Sequence, residues 1–172
     1  MFGKLVVEVI SVDKKVSRMI ASRPPAGTKL SDLETPCLVV DLDALDSNYN
    51  FIGAIYKDAS CKMRQHAKNV KSPILLHRQF DAGGTNNGVC AAKVSEAEVM
   101  FEGGIKDILI TSEIVGEEKV TRLAHLAALG NIKVCVDNAE NLCSLSRAAE
   151  NASTVIGVLV EVDTSMRRTG VR

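Results

Sequence analysis

Gly88-Val-Cys-Ala-Ala-Lys-Val-Ser-Glu-Ala-Glu-Val-Met-Phe-Glu-Gly-Gly-Ile-Lys-Asp-Ile-Leu-Ile-Thr-Ser112 reads as strand, helix and strand in one sweep. The run 88–92 is short and apolar. Ser95 and Glu98 stand three apart ahead of an apolar stretch, the pattern of a capping box that opens a helix. Gly103-Gly104 ends that helix, because glycine adopts the left-handed conformation that closes one. Asp107 to Ser112 is a second apolar run. Two such strands joined by one helix form a βαβ unit, which implies parallel strands and a right-handed crossover.

The same rhythm extends both ways. Downstream, Glu117 to Leu129 is a helix closed by Gly130, Ile132 to Asp137 a strand, Asn138 to Glu150 a helix and Ile156 to Asp163 a strand. Upstream, Ser72 to Asp81 is a helix with Pro73 suited to its first position. Cys61 to Lys68 reads extended. Asp43 to Ala59 is helical, with Leu45, Tyr49, Ile52 and Tyr56 on one side. Cys37 to Asp41 reads as one more strand. The strands that begin near 61, 88, 107, 132 and 156 lie 19 to 27 residues apart, with one helix in each gap. An open doubly wound sheet and a (β/α) barrel both fit that spacing. A complete barrel takes eight units in about 250 residues, and this chain offers five at most.

Residues 1–32 read as an N-terminal extension, with a short strand at Lys4 to Ile10 and a helix at Asp13 to Ser22. Arg23-Pro-Pro-Ala-Gly27 is a linker, since two prolines and a glycine end regular structure. Residues 33–172 carry the repeating units.

Composition excludes several function classes. Of 172 residues, 21 are Lys or Arg and 21 Asp or Glu, so the net charge is zero and the basic footprint of a nucleic-acid binder is missing. Tryptophan is absent and aromatics are 3%, which leaves little for base stacking and makes the core aliphatic. No apolar run approaches the roughly 18 residues of a membrane span. Leu5 to Ile10 is broken by Glu8 and lacks the basic flank of a secretory signal. The five cysteines are odd in number and form no C-x-x-C pair, so buried free thiols in a reducing compartment are expected. The cytoplasm is the expected location, with a mitochondrial presequence as the alternative.

One strand departs from the apolar rule for buried parallel sheets. In Cys61-Lys-Met-Arg-Gln-His-Ala-Lys68 the basic groups Lys62, Arg64, His66 and Lys68 fall on one face by the two-residue period. A solvated edge strand explains this, and so does a polar site at the strand's carboxyl end. Other strands also end in polar groups: Thr111 and Glu113, Cys135 and Asp137, Glu161 and Asp163. Asp137 also suits the N-cap of the next helix. Lys68 is the best nucleophile candidate. A lysine must shed its proton to attack, which partial burial and the nearby cations Arg64 and Lys71 would favour. His66 could relay a proton. The glycine-rich stretch Asp81 to Gly88 lacks the pattern of a phosphate-binding loop. His66, His77 and His125 have no metal spacing, and the last two belong on helix surfaces.

These motifs also carry a family resemblance. Thr35-Pro-Cys-Leu-Val-Val-Asp-Leu-Asp-Ala-Leu45 resembles the opening of the fold-type III pyridoxal phosphate enzymes, in the D-threonine aldolase and D-serine dehydratase-like branch related to alanine racemase. Arg64-Gln-His-Ala-Lys68, followed by Lys71-Ser-Pro73, is similar to that family's cofactor-lysine motif. Gly88 to Lys93, Glu96-Ala-Glu98, Gly104 to Leu109, Val134 to Asp137, Val160 to Asp163 and Arg168-Thr-Gly-Val171 follow in the family's order. Together they span roughly residues 33 to 172.

The resemblance implies a partial (β/α)8 barrel. It implies pyridoxal 5'-phosphate bound as a Schiff base on Lys68, with His66 beside it and Arg168 near the cofactor ring. The cofactor then serves as an electron sink for a carbanion at the substrate's α-carbon. The implied reaction is aldolase cleavage of a D-3-hydroxy amino acid to glycine and an aldehyde. The alternatives are a D-serine dehydratase-like ammonia-lyase and an inactive half-barrel that serves as an interaction module. The implied partner is a small D-amino acid, with a homodimer as an option. The chain departs from the family at Val70, where a histidine is usual, and at Arg167, where a glycine is usual. The family's late strands with their phosphate cradle, and the β domain that supplies ligands for a divalent metal, have no counterpart up to Arg172. The 172 residues alone are therefore expected to lack lyase activity.

Overall fold

The structure, a computed structural model, describes residues 24–172. The strand and helix expected within residues 4–22 lie outside that range. A 3-10 turn at Leu30–Asp32 precedes α1 (Leu42–Tyr56). Then follow β1 (Met63–His66), α2 (Pro73–Ala82), β2 (Thr85–Ala91), α3 (Val94–Glu102), β3 (Asp107–Ile110), α4 (Glu117–Ala127), β4 (Asn131–Val136), α5 (Ala139–Asn151) and β5 (Gly157–Val160).

The five strands form one parallel sheet in the order β1-β2-β3-β4-β5. A doubly wound sheet reverses its strand order at a switch point. Here the order follows the chain without reversal, so the architecture is that of an open (β/α)-barrel segment. Val89, Ala91, Ile108, Ile110, Ile132, Val134 and Val136 form one core cluster with the helix residues Leu76, Met100, Leu123 and Leu145. The helices therefore cover that face. By the pleat, Arg64, His66, Cys90, Asp107, Leu109, Lys133 and Cys135 face the other way, into the concave side. Two ion pairs tie neighbouring helices: Arg78 with Asp46, joining α2 to α1, and Arg122 with Glu98, joining α4 to α3.

Several local expectations are corrected. Residues 37–40 run outside any strand, and Leu38 is 95% exposed. The segment is apolar and extended, yet among the described residues no ladder satisfies residues 37–40. Ser95 and Glu98 do not form a capping box. Lys93 occupies the N-cap, Glu96 reaches back to the Ala92 N–H at 2.8 Å, and Glu98 turns to Arg122. Asn138, not Asp137, caps α5, and its side chain accepts from Glu140 N and Asn141 N. Helix α4 ends at Ala127, before Gly130. A Cβ at Gly130 would lie 2.6 Å from Phe101 Cε2 and 2.9 Å from Lys106 O, so close packing is what that position requires. Strand β5 stops at Val160, and Val162 pairs instead with Val171. The thiols are free but none is fully buried: Cys37, Cys61 and Cys143 are exposed, and Cys90 and Cys135 are half-buried on the concave face.

Candidate functional site

The floor of the concave face is an ion network. Arg64 Nη2 donates to Asp107 Oδ2 at 2.7 Å, and Lys133 Nζ to Asp107 Oδ1 at 3.3 Å. Arg64 Nη1 also donates to the Asp107 and Val89 carbonyls at 3.2 and 3.3 Å. The guanidinium must cross β2 to reach β3. It can do so because Gly88 lies beneath it, where a Cβ would overlap Arg64 Nη1. Gly157 plays the same part for Lys133, whose Cγ would lie 2.7 Å from an added Cβ. Burial pushes the Asp107 carboxyl up, but Arg64 and Lys133 outweigh it and hold the group below its usual range.

Above the floor, at the carboxyl ends of the strands, β1 delivers His66 and then Lys68. His66 Nε2 lies 3.1 Å from Thr111 Oγ1, and its Nδ1 accepts from Lys68 N at 3.3 Å. Burial pushes the His66 ring below its usual value, and the Lys68 charge adds to this. Glu96 and the Cys90 backbone oppose it. Lys68 sits in the turn after β1 and is exposed rather than half-buried. Among the described residues its ammonium has no hydrogen bond or ion pair. The cations expected to assist it are both engaged. Arg64 is held by Asp107, and Lys71 by Glu96 at 2.8 Å. Lys62 leaves the basic face altogether and donates to the Tyr56 and Lys57 carbonyls at the end of α1, each at 2.8 Å.

The opposite edge holds Arg168. The loop from Asp163 to Val171 is locked: Asp163 N donates to Val171 O and Val171 N to Glu161 O, each at 2.9 Å. Thr169 Oγ1 donates to Glu161 Oε1 at 2.6 Å, and Gly170 N to Asp137 Oδ2 at 3.0 Å. Gly170 has φ +100°, and a Cβ there would meet Asp163 N at 2.6 Å, so glycine is required. Arg168 is exposed on this loop beside a cleft of about 160 Å³. The structure thus brings His66 and Lys68 together at the end of β1 and in the turn after it, and sets Arg168 beyond β5, at the far end of the arc.

Between them stands a group of carboxylates. Glu113 follows β3, Asp137 follows β4 and Glu161 follows β5. Burial pushes the Glu113 carboxyl up, and contact with Glu161 and the charge of Asp137 push it further. Its Oε1 is buried with no hydrogen-bond partner among the described residues. Cys90 and Cys135 are pushed up mainly by burial, which disfavours the reactive thiolate. Among the described residues no group of three or more His, Cys, Asp or Glu is arranged to hold a metal ion. Sequence reasoning missed Thr111 as a partner of His66, Asp107 as the anion of the floor, and Glu96 as the anchor of Lys71. The one available signal was Asp107 itself, a carboxylate opening an otherwise apolar strand.

A parallel sheet wound in chain order, with polar groups at the strands' carboxyl ends, is a segment of a (β/α) barrel. The chain belongs to the alanine racemase N-terminal domain family, which it matches over residues 40–172, and so to the fold-type III pyridoxal phosphate enzymes. It is 42% identical to 3-hydroxy-D-aspartate aldolase of Paracoccus denitrificans over 146 residues, 84% of this chain and 38% of that protein. Crystallographic D-threonine aldolase from Filomicrobium marinum superposes with a TM-score of 0.77 at 43% identity, over 83% of this chain and 38% of that one. D-threo-3-hydroxyaspartate dehydratase from Delftia sp. HT23 gives 0.72 at 26% identity, over 81% and 36%. The chain therefore spans about two-fifths of the length of these relatives.

Proposed function

We propose that this chain is the N-terminal barrel part of a pyridoxal phosphate-dependent lyase acting on D-3-hydroxy amino acids. The division at residue 33, with residues 1–32 as an extension, belongs to the same proposal. The carrying observation is the Lys68 ammonium, unengaged among the described residues and set at the carboxyl mouth beside His66. An unengaged amine there suits capture of a carbonyl, so the residues present fit the aldehyde end of the cofactor. Lys68 would hold that aldehyde carbon, His66 would line the site beside it, and Arg168 would serve the cofactor ring. Bound in this way, the cofactor supplies an electron sink for a carbanion at the substrate's α-carbon. The carboxylates Glu113, Asp137 and Glu161 disfavour a phosphate at the β3–β5 end of the mouth by like-charge repulsion.

Aldolase cleavage is the preferred reaction, supported by the aldolases at 42% and 43% identity. Dehydration is the second reading, supported by the dehydratase at TM-score 0.72. The test is absorbance of the full-length protein with pyridoxal phosphate, followed by assays of D-threonine cleavage and D-serine deamination. Lys68→Ala should remove the cofactor's lysine-linked band. Retention of the band would move the site, with Lys93 the next lysine to examine.

A further inference from the structure

Two hydrogen bonds of the His66 ring favour one protonation state, against a pull from the Cys90 carbonyl. Nδ1 faces the Lys68 backbone N–H, which can only donate, so Nδ1 must present its lone pair. The ring proton therefore sits on Nε2, and Thr111 Oγ1, 3.1 Å away, must accept it. The Thr111 hydroxyl keeps its own proton for Ala91 O at 3.3 Å. Each end of the chain is a backbone group whose polarity cannot reverse: an N–H on β1's turn and a carbonyl on β2. A second ring proton would displace the Lys68 N–H from Nδ1, a loss set against the Cys90 carbonyl, which favours the charged ring. Lys68 and Glu96 are the charged groups whose fields reach the ring, with opposite effects on its protonation.

We propose that Thr111 is a positioning residue that fixes His66 as one neutral tautomer, protonated on Nε2, and so keeps an uncharged imidazole beside Lys68. Both ring nitrogens are then committed, and His66 lines the site instead of relaying protons. Its catalytic meaning rests on the reading of Lys68 as the cofactor lysine, but the tautomer itself does not.

Ring nitrogen NMR on the full chain tests this, with His66→Gln used to assign the signals among the three histidines. Wild type should show the Nε2–H pattern near pH 7 and titrate below an ordinary histidine. Thr111→Val removes the acceptor, freeing the ring to turn. It should give mixed tautomers. Thr111→Ser keeps the hydroxyl and should restore the wild-type pattern. Nδ1–H in wild type would overturn the proposal even if the valine variant failed to fold. An unchanged tautomer in a folded Thr111→Val protein would overturn it too. Failure of Lys68→Ala to remove the cofactor band would sink the proposed function and leave this measurement standing.

Discussion

The two faces of the sheet are built from the same strands on opposite terms. Outward, Val89, Ala91, Ile108, Ile110 and Val134 are fully buried against helices. Inward, the alternate positions hold Arg64, His66, Cys90, Asp107, Lys133 and Cys135, and the polar ones are matched to one another. The outward face is held by area, which is non-directional and tolerant of shape within limits. The inward face is held by pairing, where removing one member leaves its partner exposed to the full cost of burial. Stability therefore resides mainly on one side and chemistry on the other. The glycines at 88 and 157 are where the inward face makes room for long cations.

That contrast can be broken from either side, beginning with the largest effect. Lys68→Ala should abolish lysine-linked cofactor binding in the full-length protein while leaving the melting temperature of the cofactor-free protein nearly unchanged, because Lys68 is exposed. Absorbance with the cofactor and calorimetry without it would read both, and a large loss of stability would show that the two faces are not separable. Ile108→Ala should cost about 2–5 kcal/mol, the range for truncating a buried aliphatic side chain. Urea unfolding would measure it.

Asp107→Asn should cost less, about 1–3 kcal/mol, since Arg64 and Lys133 lose a charged partner but keep water within reach. The pH dependence adds a check. The folded Asp107 carboxyl is held below its unfolded value, so its contribution is present above about pH 4 and is lost as pH falls through the folded value. The Asn variant should flatten that acid loss.

Glu113→Gln should move the other way and raise the melting temperature at pH 7. The folded carboxyl is pushed above 4.5 by burial, Glu161 and Asp137, so ionised Glu113 costs stability at neutral pH. The cost vanishes as pH falls below the unfolded value, and the variant's advantage should vanish with it. A destabilised Gln variant at pH 7 would mean that Glu113 has a partner role. The smallest effect is expected on the outer helix surface. Glu118→Gln loosens only an exposed 3.9 Å contact to Arg122 and should leave the melting temperature unchanged.

Much of the outward face was legible in advance. Apolar runs such as 107–112 and 132–137, punctuated by Gly103-Gly104 and Pro73, place strands and helices because periodicity and turn chemistry are local. The inward face was legible only in part. The two-residue period put Arg64, His66 and Lys68 on one side, but it also put Lys62 there, and that side chain turned back to cap α1. Residues 37–40 have strand composition yet form no ladder among the described residues, because composition does not supply a neighbour.

By itself the amino-acid sequence determined the parallel βα alternation, the aliphatic core and the basic run that ends in Lys68. All of these follow from spacing along the chain. Only the tertiary structure decided that the sheet winds in order without a switch point, that Arg64 and Lys71 are engaged by Asp107 and Glu96, and that Thr111 holds His66. Those outcomes depend on residues 25 to 45 positions apart meeting in space, and a one-dimensional pattern carries no information about which polar groups will meet.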